Sequence, residues 1–268
     1  MGSEGGVNLL PARAESTLVD RVHHVDLFTL CDWVYEAGIK VDMILCDLPY
    51  GTTDCAWDAI IPLEPMWMRF RRIIKRDGVI VLTSAQPFTT TLIASNMRMF
   101  RYCWYWVKSY SVGFMNANKM PLRNVEEACV FYNELPLYNP QGVRQINRSA
   151  KRNRDKSTTV YSRMGLKDGL YTQQFENYPT QVLEFGKVSD TIHPTQKPVA
   201  LFEYLIRTYT KAGELVLDPC VGSGTTAEAA RNTQRRYIVG DAHWKYAALA
   251  RKRMEAPYTL PMFAADAA

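Results

Sequence analysis

Apolar residues along this chain fall into short runs that stop at a polar or turn residue, then give way to stretches where they recur every three or four positions. The short runs predict strands at Val22–Val25, Val41–Cys46, Val79–Thr83, Tyr102–Val107, Ala128–Tyr132, Leu215–Leu217 and Tyr237–Val239. The longer periodic stretches predict helices at Leu63–Lys75, Phe88–Ser95, Pro198–Lys211, Thr225–Asn232 and His243–Met254. Pro198 suits a first helical turn, where the missing N–H costs nothing. Strand–helix alternation of this kind predicts an α/β fold with helices on both faces of a mostly parallel, seven-stranded sheet.

From Tyr132 to His193 that periodicity lapses into a long stretch rich in Asn, Arg, Gln, Tyr and Ser. Connectors longer than ~15 residues usually carry function or are disordered, so residues 133–192 read as an insertion that recognises something. The rest, residues 18–255, reads as a single catalytic domain, with tails at 1–17 and 256–268. Composition changes this picture little. Hydrophobic residues at 47% and charged residues at 22% fit a soluble globular protein, and no apolar run reaches the ~18 residues of a membrane span. Met1–Pro11 has neither a basic start nor a long apolar stretch, so a cytoplasmic protein is expected. The six cysteines form no C-x-x-C pair, so reduced thiols are expected and no metal knuckle. Charge is more telling. The net charge is +5, while residues 144–156 hold Arg144, Arg148, Lys151, Arg152, Arg154 and Lys156 against Asp155 alone. Such a run fits a phosphate-binding surface and equally a solvated face.

Glu214–Asp241 reads as a strand, a Gly-x-Gly turn, a helix, and a second strand ending in an acid, the form of a nucleoside-cofactor half-site. Gly222 and Gly224 permit a sharp turn and close backbone approach, and the helix starting near Thr225 offers unpaired N–H groups to an anion. Asp241 suits a ribose diol. Gly222, Gly224 and Ala227 also satisfy G-x-G-x-x-A, so a nicotinamide oxidoreductase is a competing reading. Asp218 separates the two. A carboxylate just before the turn would repel a pyrophosphate, whereas the amino group and sulfonium of S-adenosylmethionine are cations that it would favour.

Val41–Gly51 is an apolar strand running into Asp47-Leu48-Pro49-Tyr50, and strand ends are where α/β sheets place chemistry. An exocyclic base amine is a poor nucleophile because its lone pair is conjugated with the ring. Two hydrogen-bond acceptors must draw its N–H bonds away. Asp47 offers a carboxylate and Leu48 a backbone carbonyl, with Pro49 restricting the residue before it and Tyr50 offering a face for the base. An ordinary strand-to-turn ending has the same composition.

Taken together these segments resemble the β-type DNA amino-methyltransferase family, which modifies adenine N6 or cytosine N4. Asp47–Tyr50 is similar to its D-P-P-Y tetrapeptide, Asp218–Thr226 to its cofactor loop, and His193-Pro194-Thr195-Gln196-Lys197-Pro198 to its H-P-T-Q-K-P segment. The order, with the tetrapeptide first and the glycine loop last, resembles the circularly permuted β-type arrangement over about residues 20–255. The resemblance implies a Rossmann-like methyltransferase fold and S-adenosylmethionine as cofactor. It implies that Asp218, Pro219, Gly222, Ser223, Gly224 and Thr225 hold the methionine part, Asp241 the ribose, Thr195 and Lys197 the carboxylate end, and Asp26 the adenine side. Leu48 departs from the usual first proline, and Asp241 stands where Glu is commoner. Asp at the first tetrapeptide position leans towards adenine. Cys220 lies inside the cofactor loop and reads as structural, and His193 and His243 have no clustered second ligand, so no metal is expected.

Double-stranded DNA would then be the partner, with the target base flipped out of the stack. Lys108, Asn116, Arg144, Asn147, Arg148, Lys151, Arg152 and Arg154 are the candidate contacts to phosphates and base edges. The family likeness further implies a homodimer and a place in restriction–modification. Cytosine N4 methylation, nicotinamide-dependent oxidoreduction and a catalytically silent DNA-binding relative are the alternatives.

Overall fold

A computed structural model of the chain describes residues 12–51, 59–152, 169–186 and 196–257. In chain order the elements are α1 (Ala12–Leu18), β1 (Arg21–His24), α2 (Leu27–Glu36), β2 (Val41–Asp47), α3 (Leu63–Ile73), β3 (Ile74–Ser84), α4 (Phe88–Ser95), β4 (Phe100–Val112), β5 (Arg123–Phe131), β6 (Arg144–Arg152), β7 (Gly169–Glu176), β8 (Val182–Phe185), α5 (Val199–Tyr209), β9 (Leu215–Asp218), α6 (Thr225–Asn232), β10 (Arg236–Asp241) and α7 (Trp244–Glu255). They form two compact units, Met1–Asn139 with Gln181–Ala268, and Pro140–Thr180.

The larger unit is built on one sheet in the order β1-β10-β9-β2-β3-β5-β4-β8. Neighbours are parallel from β1 to β3 and again between β4 and β8, and β5 alone runs antiparallel to both of its partners. The carboxyl ends of β2, β3, β9 and β10 therefore share one edge, and the β4–β5 hairpin projects from that edge. Side chains alternate across the sheet with period two. On β2, Ile44 and Cys46 face α2, α3 and α4, where Leu30, Trp67 and Phe70 pack. Met43 and Leu45 face α5, α6 and α7, where Phe202, Ala229 and Ala250 pack. Both layers are closed to water: Trp67, Phe70 and Phe202 are at most 1% exposed, and each such aromatic would cost ~3–5 kcal/mol if truncated to alanine.

The α/β class, the mostly parallel sheet and the two helical layers agree with the expectation. Among the described residues the sheet has eight strands rather than seven, because β8, only Val-Leu-Glu-Phe inside the expected insertion, pairs in parallel with β4. Four residues with one buried side chain carry too little pattern to be read as a strand. Helix α3 stops at Ile73, where β3 begins, and α2 stands where no helix was predicted. Asp26, expected to end the first strand, is the N-cap of α2, accepting from the N–H groups of Phe28 and Thr29 at 2.9 and 3.1 Å. Leu27, Leu30, Cys31 and Val34 then bury one face of that helix at helical spacing.

The smaller unit is an antiparallel ribbon in which β6 pairs with β7. Arg144 and Glu176 form an ion pair at 3.2 Å, and the Arg148 guanidinium donates to Gln173 Oε1 at 3.0 Å. The few apolar residues of its strands, Ile146 in β6 and Leu170, Tyr171 and Phe175 in β7, do not alternate with polar positions over a long enough run, which is why the sequence reads there as irregular. Among the described residues no helix is long and apolar enough to cross a membrane.

Candidate active site

Three strand ends, the glycine turn, the start of α2 and the segment ahead of α5 line a cavity of about 460 Å³ at the carboxyl edge of the large sheet. Asp47-Leu48-Pro49-Tyr50 from the end of β2, Asp218–Ser223 with Thr225 and Thr226 from β9 and the glycine turn, Asp241 and His243 after β10, Asp26 and Phe28 from the start of α2, and Lys197 ahead of α5 all line it. Most residues singled out from the sequence as catalytic or cofactor-binding thus meet in one place. His193 and Thr195 lie outside the described residues.

At the glycine turn, Gly222 (φ +53°) and Gly224 (φ +89°) adopt left-handed backbone. A Cβ on Gly224 would lie 3.2 Å from Ala250, so its absence lets α6 approach α7. The Gly222 N–H donates to Asp241 Oδ2 at 3.0 Å and the His243 N–H to Oδ1 at 2.7 Å, so this carboxylate ties the turn to the start of α7.

Asp218 is 1% exposed. The Cys220 N–H donates to its Oδ1 at 3.0 Å and the Thr226 hydroxyl to its Oδ2. Burial outweighs these donors and pushes the carboxyl up to about 7. A carboxylate so placed gains from a cation and loses from an anion, which is the property that distinguishes an aminoacyl sulfonium nucleoside from a pyrophosphate. A further sign of fit is His243, whose Nδ1 is buried without a hydrogen-bond partner among the described residues, in the wall of the same cavity. Asp26 is also held ready: burial raises its carboxyl, but the hydrogen bonds from Thr29 and Phe28 outweigh it and keep it below the usual carboxylate range.

At the other end of the cavity, Asp47 is gripped by three side chains. Oδ1 accepts from the Tyr50 hydroxyl at 2.7 Å, from Lys197 Nζ at 2.9 Å and from the Thr83 hydroxyl, while Oδ2 accepts from Lys197 Nζ at 2.7 Å. Thr83 arrives by strand register, since Asp47 and Thr83 are paired across β2 and β3. The Tyr50 ring stacks on Phe88, 5.7 Å between centroids and 23° from parallel. Burial, with Asp47 and Glu126 nearby, pushes the Tyr50 phenol well up, so it stays a neutral donor.

Lys197 was expected at the carboxylate end of the cofactor, and the structure places its buried ammonium between Asp47 and Glu126, 3.4 Å from the latter. Burial alone would lower this ammonium; the two carboxylates outweigh it and keep it above the ordinary lysine value, hence protonated. Lys108, a candidate DNA contact, turns inward to Glu126, with side chains only 9% and 14% exposed. Glu126 and Thr83 carried no signal in the sequence, because only the pairing of distant strands brings them to Asp47. Of the other candidate contacts, Asn116 is exposed in the β4–β5 hairpin beside Phe114 and Met115, 81% and 93% exposed, and Arg144, Asn147 and Arg148 are exposed on the ribbon. Lys151 and Arg152 belong to β6, and Arg154 lies outside the described residues.

A family model described as DNA methylase matches residues 41–252, a span that includes the Asp47–Tyr50 and glycine-turn walls of the cavity and the segment between them. The chain is 53% identical over 64 residues to the type II methyltransferase M2.DpnII of Streptococcus pneumoniae, an alignment covering 24% of each chain, so it spans about a quarter of that relative's length. Its fold is like that of M1.HpyAVI solved with SAM, at a TM-score of 0.61 and 23% identity over 87% of this chain and 98% of that one. It is also like the cytosine-N4-specific PvuII DNA methyltransferase, at a TM-score of 0.60 and 15% identity over 87% of this chain and 85% of that one.

Proposed function

The chain belongs to the N6/N4 DNA methylase family, and from that membership we propose that it transfers a methyl group from S-adenosylmethionine to adenine N6 in duplex DNA. The observation that carries the reading is the shared cavity, with the Asp47–Tyr50 tetrapeptide and the Asp218–Thr226 turn as two of its walls. In this assignment Asp218 faces the cationic end of the cofactor, Asp241 the ribose, and Asp26, Phe28 and His243 the adenine side. When bound, the cofactor supplies an electrophilic methyl group.

The protein's own part is positioning and electrostatics. Asp47 accepts one N–H of the target amine and the Leu48 carbonyl the other, which localises the nitrogen lone pair. As the N–C bond forms, the nitrogen must shed a proton, and Asp47 is the acceptor at hand. Tyr50, braced by Phe88, gives the extruded base an apolar face whose stacking offsets part of the flipping cost. Asp at position 47 supports adenine over cytosine. The likeness to a cytosine-N4-specific fold leaves N4 as the second outcome of the test.

The antiparallel ribbon supports DNA as partner, since a two-stranded ribbon is of a size the major groove admits and its exposed Arg148 and Asn147 are of the types that contact phosphate and base edges. Asn116, Phe114 and Met115 on the β4–β5 hairpin extend from the cavity's edge of the sheet as a second contact. A homodimer and a cytoplasmic site of action form part of the same proposal, and sedimentation tests the first of these. For the reaction, the protein is incubated with methyl-labelled S-adenosylmethionine and mixed-sequence duplex DNA, which is then digested to nucleosides. Label in N6-methyladenine is expected; label in N4-methylcytosine would reassign the base, and no label would refute the activity.

A further inference from the structure

Both oxygens of Asp47 already hold donors, yet the proposed reaction asks this carboxylate to accept a target amine. Oδ1 receives Tyr50, Thr83 and Lys197, and Oδ2 receives Lys197 alone among the described residues. Oδ1 is crowded, so the amine enters at the remaining acceptor site of Oδ2, and Asp47 takes up its proton more readily once the ammonium sharing that oxygen yields. A second carboxylate stands ready to take it. Glu126 Oε2 lies 3.4 Å from Lys197 Nζ and is buried with no hydrogen bond among the described residues, while Oε1 is held by Lys108.

Strand register aligns these groups. Asp47 pairs with Thr83, Thr83 with Ala128, and Glu126, two residues from Ala128, pairs with Trp106, two residues from Lys108. Because side chains alternate, all four lie on the sheet face that α5 covers, in a row Asp47, Thr83, Glu126, Lys108, with Lys197 arriving from just before α5. The charges alternate from the closed end, where Lys108 is 9% exposed, to Asp47 at 27%.

We propose that Glu126 is a positioning residue: it is the second seat for the Lys197 ammonium, which moves onto Oε2 as the target amine reaches Asp47 Oδ2. The move exchanges one carboxylate for another, so no buried charge is stranded, and Lys108 keeps Oε2 turned to Lys197 by holding Oε1. The inference rests on the methyl-transfer reading above.

The test compares wild type with Glu126→Gln and Glu126→Asp by single-turnover methyl transfer, by cofactor and DNA affinity, and by the ¹⁵N ammonium signal of Lys197, assigned from its loss in Lys197→Arg. For Glu126→Gln we expect methyl transfer slowed about 10²-fold, the scale of a misplaced catalytic group, with both affinities within about twofold of wild type. Glu126→Asp should recover part of the rate. Duplex containing the target should shift the Lys197 signal in cofactor-loaded wild type and leave it unmoved in Glu126→Gln. Unchanged transfer in Glu126→Gln, or a rate loss matched by equal losses in cofactor affinity and melting temperature, would overturn the inference while leaving the activity in place. A wild type that methylates nothing would overturn the activity itself, and the inference with it.

Discussion

Asp218 should make cofactor binding a proton-releasing reaction. Its carboxyl is buried and raised from 3.8 to about 7, so near neutrality the cofactor-free site is close to half protonated. A cation bound beside it favours the ionised form, and below pH 7 each binding event must expel a proton. At pH 6 about one site in ten is ionised and at pH 8 about nine in ten, so affinity should strengthen about tenfold between them. Titration calorimetry in two buffers of different ionisation enthalpy counts the protons directly: about 0.9 released at pH 6, 0.5 at pH 7 and 0.1 at pH 8. The same shift governs folding with the opposite sense. A carboxyl raised in the folded state stabilises fully below its unfolded value and loses that contribution as pH climbs through the folded one. The cofactor-free protein should accordingly lose about 4 kcal/mol between pH 4 and 8 from this group. Asp218→Asn keeps the shape and removes the titration, so its cofactor binding should be weaker and release no proton at this site. A wild-type affinity flat from pH 6 to 8, or the same slope in Asp218→Asn, would refute the reasoning.

Three further outcomes follow from the geometry. Asp47→Ala should abolish methyl transfer while cofactor affinity, measured by calorimetry, stays within severalfold of wild type, because the role proposed for Asp47 is toward the amine and not the nucleoside. Gly224→Ala should destabilise by at least about 1–2 kcal/mol in denaturant unfolding, since it forces left-handed backbone on a residue with a side chain and drives a Cβ to 3.2 Å from Ala250. Gly222→Ala, with nothing within 4 Å of the added atom, should cost only the backbone part. Arg148→Glu, exposed on the ribbon, should weaken duplex binding and lower the slope of log affinity against log salt by ~1 or more. An unchanged slope in fluorescence anisotropy would make the ribbon a solvated face.

What could be read from the chain was whatever is local. Asp47-Leu48-Pro49-Tyr50 follows its strand directly, and Asp218 and Asp241 flank a turn and helix that spell out their own geometry, so both cavity walls were visible before any fold was known. Helix α2 is also legible: Asp26 follows an apolar run and reads as a strand end, but an acid followed by apolar residues at Leu27, Leu30, Cys31 and Val34 is a capped amphipathic helix. Strand β8 was beyond reach, since its place in the sheet is decided by β4 and not by four residues of its own. Lys108 shows the limit most clearly. An isolated lysine after an aromatic strand suggests a phosphate contact, and only the opposite strand reveals the buried glutamate that claims it.

The Asp47 end of the cavity is therefore a product of register in a way the glycine-turn end is not. Shift β3 by one residue against β2 and Thr83 turns to the α3 side, taking its hydroxyl from Asp47; shift β5 likewise and Glu126 leaves Lys197 with one carboxylate. Register in turn is held by the alternation of Met43 and Leu45 against Ile44 and Cys46, Val79 and Val81 against Ile80 and Leu82, and Ala128 and Val130 against Cys129 and Phe131, every one buried in one of the two layers. A slip would carry each of these into the layer packed for its neighbour. Such side chains are worth ~1.5–3 kcal/mol each when properly buried, so the core enforces the alignment of charged groups that, left to their own pairing, gain little from being buried. Substitutions far from the cavity that loosen β3 or β5 should then reduce turnover before they weaken cofactor binding, because the glycine turn draws its geometry from β9, β10 and the helices beside them.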